Sequence, residues 1–146
     1  MAIQAYSLSK EGYKQLSPHF RVREFRCRDG SDPVFVDEEL VSILQKIREH
    51  FGKALIITSA YRTPAHNKAS GGAAYSQHLY GRAADFKVAG VGPDTVAAYA
   101  ETLLPGRGGI GVYPPKAGRA EGWVHIDTRA SKSRWRGVSH VRSRRI

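Results

Sequence analysis

A histidine and an aspartate seven residues apart, His78 and Asp85, flank Gly81 in the stretch Ser76-Gln77-His78-Leu79-Tyr80-Gly81-Arg82-Ala83-Ala84-Asp85. An imidazole and a carboxylate at the start of a strand-like run make half of a metal site. The other half is His125 in Glu121-Gly122-Trp123-Val124-His125-Ile126-Asp127, where a period of two puts Trp123, His125, Asp127 and Arg129 on one face. Two histidines and one aspartate are a suitable zinc set. A hydrolytic zinc centre takes three protein ligands, with His nitrogen at about 2.0–2.1 Å and carboxylate oxygen at about 2.0–2.2 Å, and keeps a fourth position for water. The pKa of that water falls to roughly 7 while the ion polarises the carbonyl under attack, and a peptide bond is the usual target.

These residues need rigid elements beneath them, and the sequence predicts several. The clearest helix starts at Asp37, which can cap free backbone N–H groups, with Glu38 and Glu39 at the positive end of the dipole. Leu40, Leu44, Ile47 and Phe51 form one apolar stripe, and Gly52 ends the helix. Ala54 to Thr58 is too short and too β-branched for a helix, so it reads as a buried strand delivering Tyr61 and Arg62 to the loop at its end. Ala83 to Val88 and the run ending at Asp127 each have one polar and one apolar face. Paired in a sheet, directly opposed residues have Cβ atoms roughly 4.5–5.5 Å apart, a spacing that suits a shared metal. A further helix runs from Pro93 to Leu103, and Gly109 to Tyr113 is a short strand.

Other segments give weaker signals. Residues 1–16 read as a lead-in segment, Phe20 to Phe25 as a short edge segment, and Arg28 to Pro33 as a loop of turn-formers. His66 and Asn67 open a Gly- and Ala-rich loop in which His66 is a fourth ligand, a substrate contact or simply a loop hydrogen bond. From Ser131 onward Lys132, Arg134, Arg136, Arg142, Arg144 and Arg145 surround Trp135, which reads as a solvated basic terminus able to grip anionic polymers.

Ser76, His78, Gly81, Ala83 and Asp85 together spell SxHxxGxAxD, and a later aromatic-x-His strand follows. In this the sequence resembles the LAS-type zinc peptidases of the M15 family, a group of D-Ala-D-Ala carboxypeptidases and phage and murein endopeptidases. Ser59-Ala60-Tyr61-Arg62-Thr63-Pro64 matches that family's Ser-x-Tyr-Arg segment, and the likeness covers roughly residues 17–137. The resemblance implies His78, Asp85 and His125 as ligands of Zn2+, with Arg62 over the substrate carbonyl. It implies an α+β, LAS/Hedgehog-like fold in which a small antiparallel sheet has helices packed on one face and a zinc site on the other. Residues 17–137 would be the peptidase domain and 138–146 a basic C-terminal tail. Ser76, Tyr113 and Trp123 are candidate substrate-binding residues, and the Ser76 hydroxyl is also placed to help hold the site.

The general base is where this sequence departs from the pattern. Many relatives carry an acid three residues before the last His, and here that position is Gly122. Glu121 lies one residue earlier and would face the opposite side unless a bulge re-aims it. Asp127 shares the face of His125, as base or as the partner that orients a ligand.

At 146 residues the chain is one domain's worth, and its 41% hydrophobic and 25% charged composition is globular. A net charge of +10 favours anionic partners such as a cell wall, and no nucleic-acid motif accompanies it. Cys27 is the only cysteine, so an intrachain disulfide is excluded, and it reads as a small packed residue. No secretory signal or membrane span is visible in the sequence. The expectation is a monomer made in the cytoplasm that acts on peptidoglycan after phage lysis or from a virion. Its reaction would be endopeptidase cleavage; a D-Ala-D-Ala carboxypeptidase and a catalytically weak zinc-containing wall-binding module are the alternatives.

Overall fold

The computed structural model describes residues 2–115 and 122–137. In chain order the elements are β1 (Ile3–Ser7), the one-turn helix α1 (Leu8–Glu11), β2 (Gln15–Ser17), β3 (Phe20–Arg21), a 3-10 turn (Val22–Phe25) and β4 (Pro33–Asp37). Then come α2 (Glu38–Phe51), β5 (Leu55–Ser59), α3 (Pro64–Ala69), a second 3-10 turn (Gln77–Tyr80), β6 (Ala83–Val88), α4 (Pro93–Leu103), β7 (Gly108–Tyr113), β8 (Trp123–Asp127) and β9 (Lys132–Arg136). This is an α+β arrangement. Its centre is a five-stranded sheet in the order β5-β6-β8-β7-β9, flanked by two ribbons, β1-β4 and β2-β3.

The helix stripe read from the sequence supplies one wall of the core. Asp37 accepts a hydrogen bond from the Glu39 N–H at 3.2 Å, and Leu40, Leu44 and Ile47 are buried together with Val41 and Ile43. Each such side chain, once fully buried, contributes about 1.5–3 kcal/mol. Facing them are Leu55, Ile57, Ala84, Phe86, Val88, Ile110, Val124 and Ile126 from the sheet, with Val96 and Ala100 of α4 closing the layer. The period of two then turns Asp85, His125 and Asp127 to the other face.

Five segments differ from the sequence reading. The lead-in is built into the fold: β1 pairs antiparallel with β4, Ile3 opposite Asp37 and Ser7 opposite Pro33, and Tyr6 and Leu8 pack against the core. β4 hides among turn-formers because its proline is the first residue of the strand, where a missing N–H costs nothing. Residues 20–25 split into a two-residue strand and a 3-10 turn that bury Phe20, Val22 and Phe25. His66 and Asn67 lie on α3, capped by Thr63, and not in a loop.

The fifth difference is that Lys132–Arg136 is a strand. β9 runs parallel to β7, so the sheet is mixed where an antiparallel one was expected. Its charges are satisfied: Arg134 grips Glu101 of α4, with Nε to Oε1 at 2.6 Å, and also the Leu104 and Gly108 carbonyls. Arg136 pairs with Asp94 at 2.8 Å. The tail from 138 to 146 lies outside the described residues.

The pairing of β7 and β9 depends on glycine. The register places Gly111 beside Trp135, and a Cβ on Gly111 would sit 2.4 Å from the indole. Gly111→Ala should therefore lower stability by about 1–3 kcal/mol, read as a shift in urea midpoint. Gly106→Ala, where a Cβ meets nothing within 4 Å, is the control.

Candidate metal centre

Five side-by-side positions define the polar face. Across β5, β6, β8, β7 and β9 the register aligns Ser59, Asp85, His125, Gly111 and Trp135. His78 comes from the 3-10 turn preceding β6. Ser76 caps that turn, its hydroxyl accepting the His78 N–H at 3.2 Å, so the hydroxyl named as a substrate-binding candidate is engaged in holding His78. Gly81 ends the turn at φ 71, and a Cβ there would lie 2.4 Å from the Phe35 carbonyl oxygen. Only glycine satisfies both conditions.

The imidazoles point usable lone pairs at one point. The His78 Nδ1–H donates to the Ala60 carbonyl at 2.7 Å, which leaves Nε2 facing Asp85 Oδ2 at 3.4 Å. The His125 Nε2–H donates to Asp127 Oδ2 at 2.7 Å, and Nδ1 meets Asp85 Oδ1 at 2.9 Å. One donor atom from each of His78, Asp85 and His125 lies within 4.8 Å of the others. Tetrahedral ligands at 2.0–2.1 Å stand roughly 3.3 Å apart, so the set matches a four-coordinate divalent ion with one position left open.

The electrostatics follow from burial and from these contacts. Burial pushes His78 down, which favours its neutral form. Burial also pushes His125 down, but its hydrogen bonds to Asp127 and Asp85 outweigh this, and its pKa is pushed up to about 9. Burial raises Asp85, yet the two imidazoles hold its carboxyl far below the usual carboxylate range. Below pH 9 an incoming ion must therefore displace a proton from His125 Nδ1. Metal affinity should rise about tenfold per pH unit between pH 7 and 9 and level off above, with one proton released per ion, as measured by calorimetry in buffers of different ionisation enthalpy. A flat affinity across that window would refute the protonated pair.

Asp127 is completely buried and saturated with donors. Besides His125 it receives Arg129 through Nε at 2.8 Å and Nη2 at 2.6 Å, the Arg129 N–H at 3.1 Å and the Gly109 N–H at 3.0 Å. A carboxylate offers about four lone-pair sites. With these donors in place its lone-pair sites are all taken up, and its contact to the centre is the hydrogen bond from the His125 Nε2–H.

Arg62 reaches the same point. Its Nη2 lies 3.7 Å from Asp85 Oδ2, while Nε donates to Ser59 Oγ and Nη1 to Asn67 Oδ1, both at 3.2 Å. Tyr113 and Trp123 stack face to face with centroids 4.6 Å apart, one step along the strands from His125. The Trp135 indole N–H donates to the Tyr113 hydroxyl at 2.9 Å, and its ring lies 5.1 Å from the His125 ring. Glu121 lies outside the described residues. At Gly122 a Cβ would fall 2.0 Å from the Tyr113 carbonyl oxygen, so that position cannot carry an acid without moving β7.

Two contributors were not read as part of the site, Asn67 and Trp135, and Arg129, placed by its period on the His125 face, was given no role there. For Trp135 a signal existed, since Ser133 and Trp135 alternate with Lys132, Arg134 and Arg136 in a period of two. For Asn67 there was none, because its partners are Arg62 and the Ala73 carbonyl, neither of which a sequence pattern links to it.

Asp85 and His125 on one face of the sheet, His78 on the turn that leads into it and an arginine braced by Ser59 and Asn67 supply the donor set and the cation that a hydrolytic centre uses. The chain matches Peptidase M15 over residues 18–127 and belongs to that family. It is also similar to a Haemophilus influenzae protein named "Probable peptidoglycan L,D-endopeptidase MepK", with 33% identity over 87 residues that make up 56% of this chain. The match spans 42% of that relative's length.

Proposed function

We propose that this protein is a zinc-dependent peptidase of the LAS type that hydrolyses peptide bonds in peptidoglycan stem peptides or cross-links, acting as an endopeptidase of phage or prophage type. The observation that carries the reading is the convergence of His78 Nε2, Asp85 and His125 Nδ1, with the opposite ring nitrogens already committed to Ala60 and Asp127. Family membership supports peptidase chemistry, and the relative's name supports peptidoglycan as the substrate.

Zinc held by those three side chains would supply water of lowered pKa and polarise the scissile carbonyl. The protein does the rest. Asp127 and Arg129 fix the His125 ring so that Nδ1 faces the cleft. Arg62, braced by Ser59 and Asn67, directs its guanidinium at the charge that develops on the carbonyl oxygen. Glu121 would take the proton from the attacking water and return it to the leaving amine, as the acidic candidate left for that role once the donors around Asp127 occupy its carboxylate. The Tyr113–Trp123 stack gives the substrate backbone an aromatic wall beside the metal. The net charge of +10 draws the enzyme to an anionic cell wall.

Purified murein sacculi incubated with the zinc-loaded protein should release peptides whose new ends, read by mass spectrometry, name the bond. His125→Ala and a chelated sample should release none. Stoichiometric zinc without any cleavage would sink the enzymatic reading and leave a wall-binding module.

A further inference from the structure

A second group of metal-ligating side chains lies apart from the His78–Asp85–His125 centre. Cys27 Sγ, a carboxylate oxygen of Asp29 and a ring nitrogen of His66 all fall within 4.8 Å of one another. They come from two segments far apart in sequence, the turn after the first 3-10 helix and helix α3. Thr63 organises them: its N–H donates to Cys27 Sγ at 3.4 Å, its hydroxyl donates to Asp29 Oδ2 at 2.9 Å, and that hydroxyl accepts the His66 N–H at 3.2 Å. Cys27 is completely buried, Asp29 is exposed, and His66 is half-buried, so the cluster opens to solvent on one side.

The chemistry of the three groups is selective. One thiolate, one imidazole and one carboxylate suit a borderline-soft divalent ion of the zinc class, while the sulfur disfavours magnesium and calcium. The Ser31 N–H donates to Asp29 Oδ1 at 2.9 Å and the Thr63 hydroxyl to Oδ2 at 2.9 Å, which together hold the carboxylate in place beside the sulfur and the imidazole.

We propose that Cys27, Asp29 and His66 form a second, structural site for a thiophilic divalent cation, which clamps the 27–29 turn to α3. The neighbouring residue on α3 is Asn67, whose side chain braces Arg62. An ion at this site therefore stiffens the support of the active-site arginine from behind. Nothing in the inference depends on what the first centre cleaves.

Cobalt distinguishes the two sites, because a Co2+–thiolate bond gives a near-ultraviolet charge-transfer band and only the second site contains sulfur. The full chain, stripped of metal and titrated with Co2+, should take up two ions, and the thiolate band should grow with one of them. Cys27→Ser should bind one ion with no band. His66→Ala, which removes a half-buried side chain from a short helix, should weaken the band-forming equivalent by at least about 100-fold, beyond what loss of an outer partner costs. His125→Ala should keep the band and lose the other ion. Uptake of a single ion without a thiolate band overturns the proposal. So does a band whose midpoint His66→Ala leaves unchanged.

Discussion

Asp85→Ala is expected to abolish turnover of peptidoglycan peptides, with kcat/KM falling by about 10⁴-fold or more, the scale of losing one member of a catalytic unit. Asp85 is the single group that touches everything else at the centre. Its carboxylate meets His125 Nδ1 at 2.9 Å, His78 Nε2 at 3.4 Å and the Arg62 guanidinium at 3.7 Å. Without it two ligands remain, and Arg62 and protonated His125 face each other with no anion between them. Zinc content measured beside activity separates the causes. The expected result is a folded protein by circular dichroism that retains less than one ion at the first centre. Activity within tenfold of the unaltered protein would remove Asp85 from the mechanism.

Arg62→Ala is the second large effect, and it should look different. A cation that stabilises charge appearing only in the transition state acts on kcat, with a loss of about 10²–10³-fold and little change in KM. The first centre should keep its zinc, because Arg62 donates no ligand. Arg62→Lys should restore little of the rate. Arginine here uses its fork: Nε rests on Ser59 and Nη1 on Asn67, which fixes the plane and leaves Nη2 at the metal centre. A lysine carries one ammonium and cannot make both braces and still reach forward. If Arg62→Ala lost zinc, or raised KM alone, the assignment to the transition state would fail.

The strands that carry Asp85 and His125 were legible because they bring a period of two and strong chemistry together. At β6 and β8 alternation sends Asp85 and His125 to one face and Phe86 and Val124 to the other. Helix α2 was legible because fourteen residues give a 3.6-residue period room to repeat. In contrast α3 has six residues, too few for a stripe. β4 begins on a proline after a run of turn-formers, and β9 carries three cations in five residues. Their partners reside in tertiary structure: β1 for β4, and Glu101 and Asp94 on α4 for Arg134 and Arg136. The same holds within the site. His78, Asp85 and His125 announce themselves by type and spacing and Arg62 by its resemblance to a Ser-x-Tyr-Arg segment, whereas the donors that surround Asp127 come into view only with the fold.

The buried Asp37 has a bearing on how the chain reaches its native state. Besides capping α2, it takes the Thr128 hydroxyl at 2.5 Å across 91 residues, and its N–H donates to the Gly81 carbonyl at 2.9 Å. One side chain and its backbone thus join the helix start, the turn between the first two ligands and the residue following Asp127. Asp85 and His125 are themselves 40 residues apart. Such closures lose chain entropy before any contact compensates, so they fall late on the folding path and slow it. The ligand set exists only once the sheet is assembled, and an ion cannot act as the nucleus. Refolding should therefore proceed at the same rate in chelator and in zinc, with the metal slowing only unfolding; acceleration by zinc would show that the centre forms early.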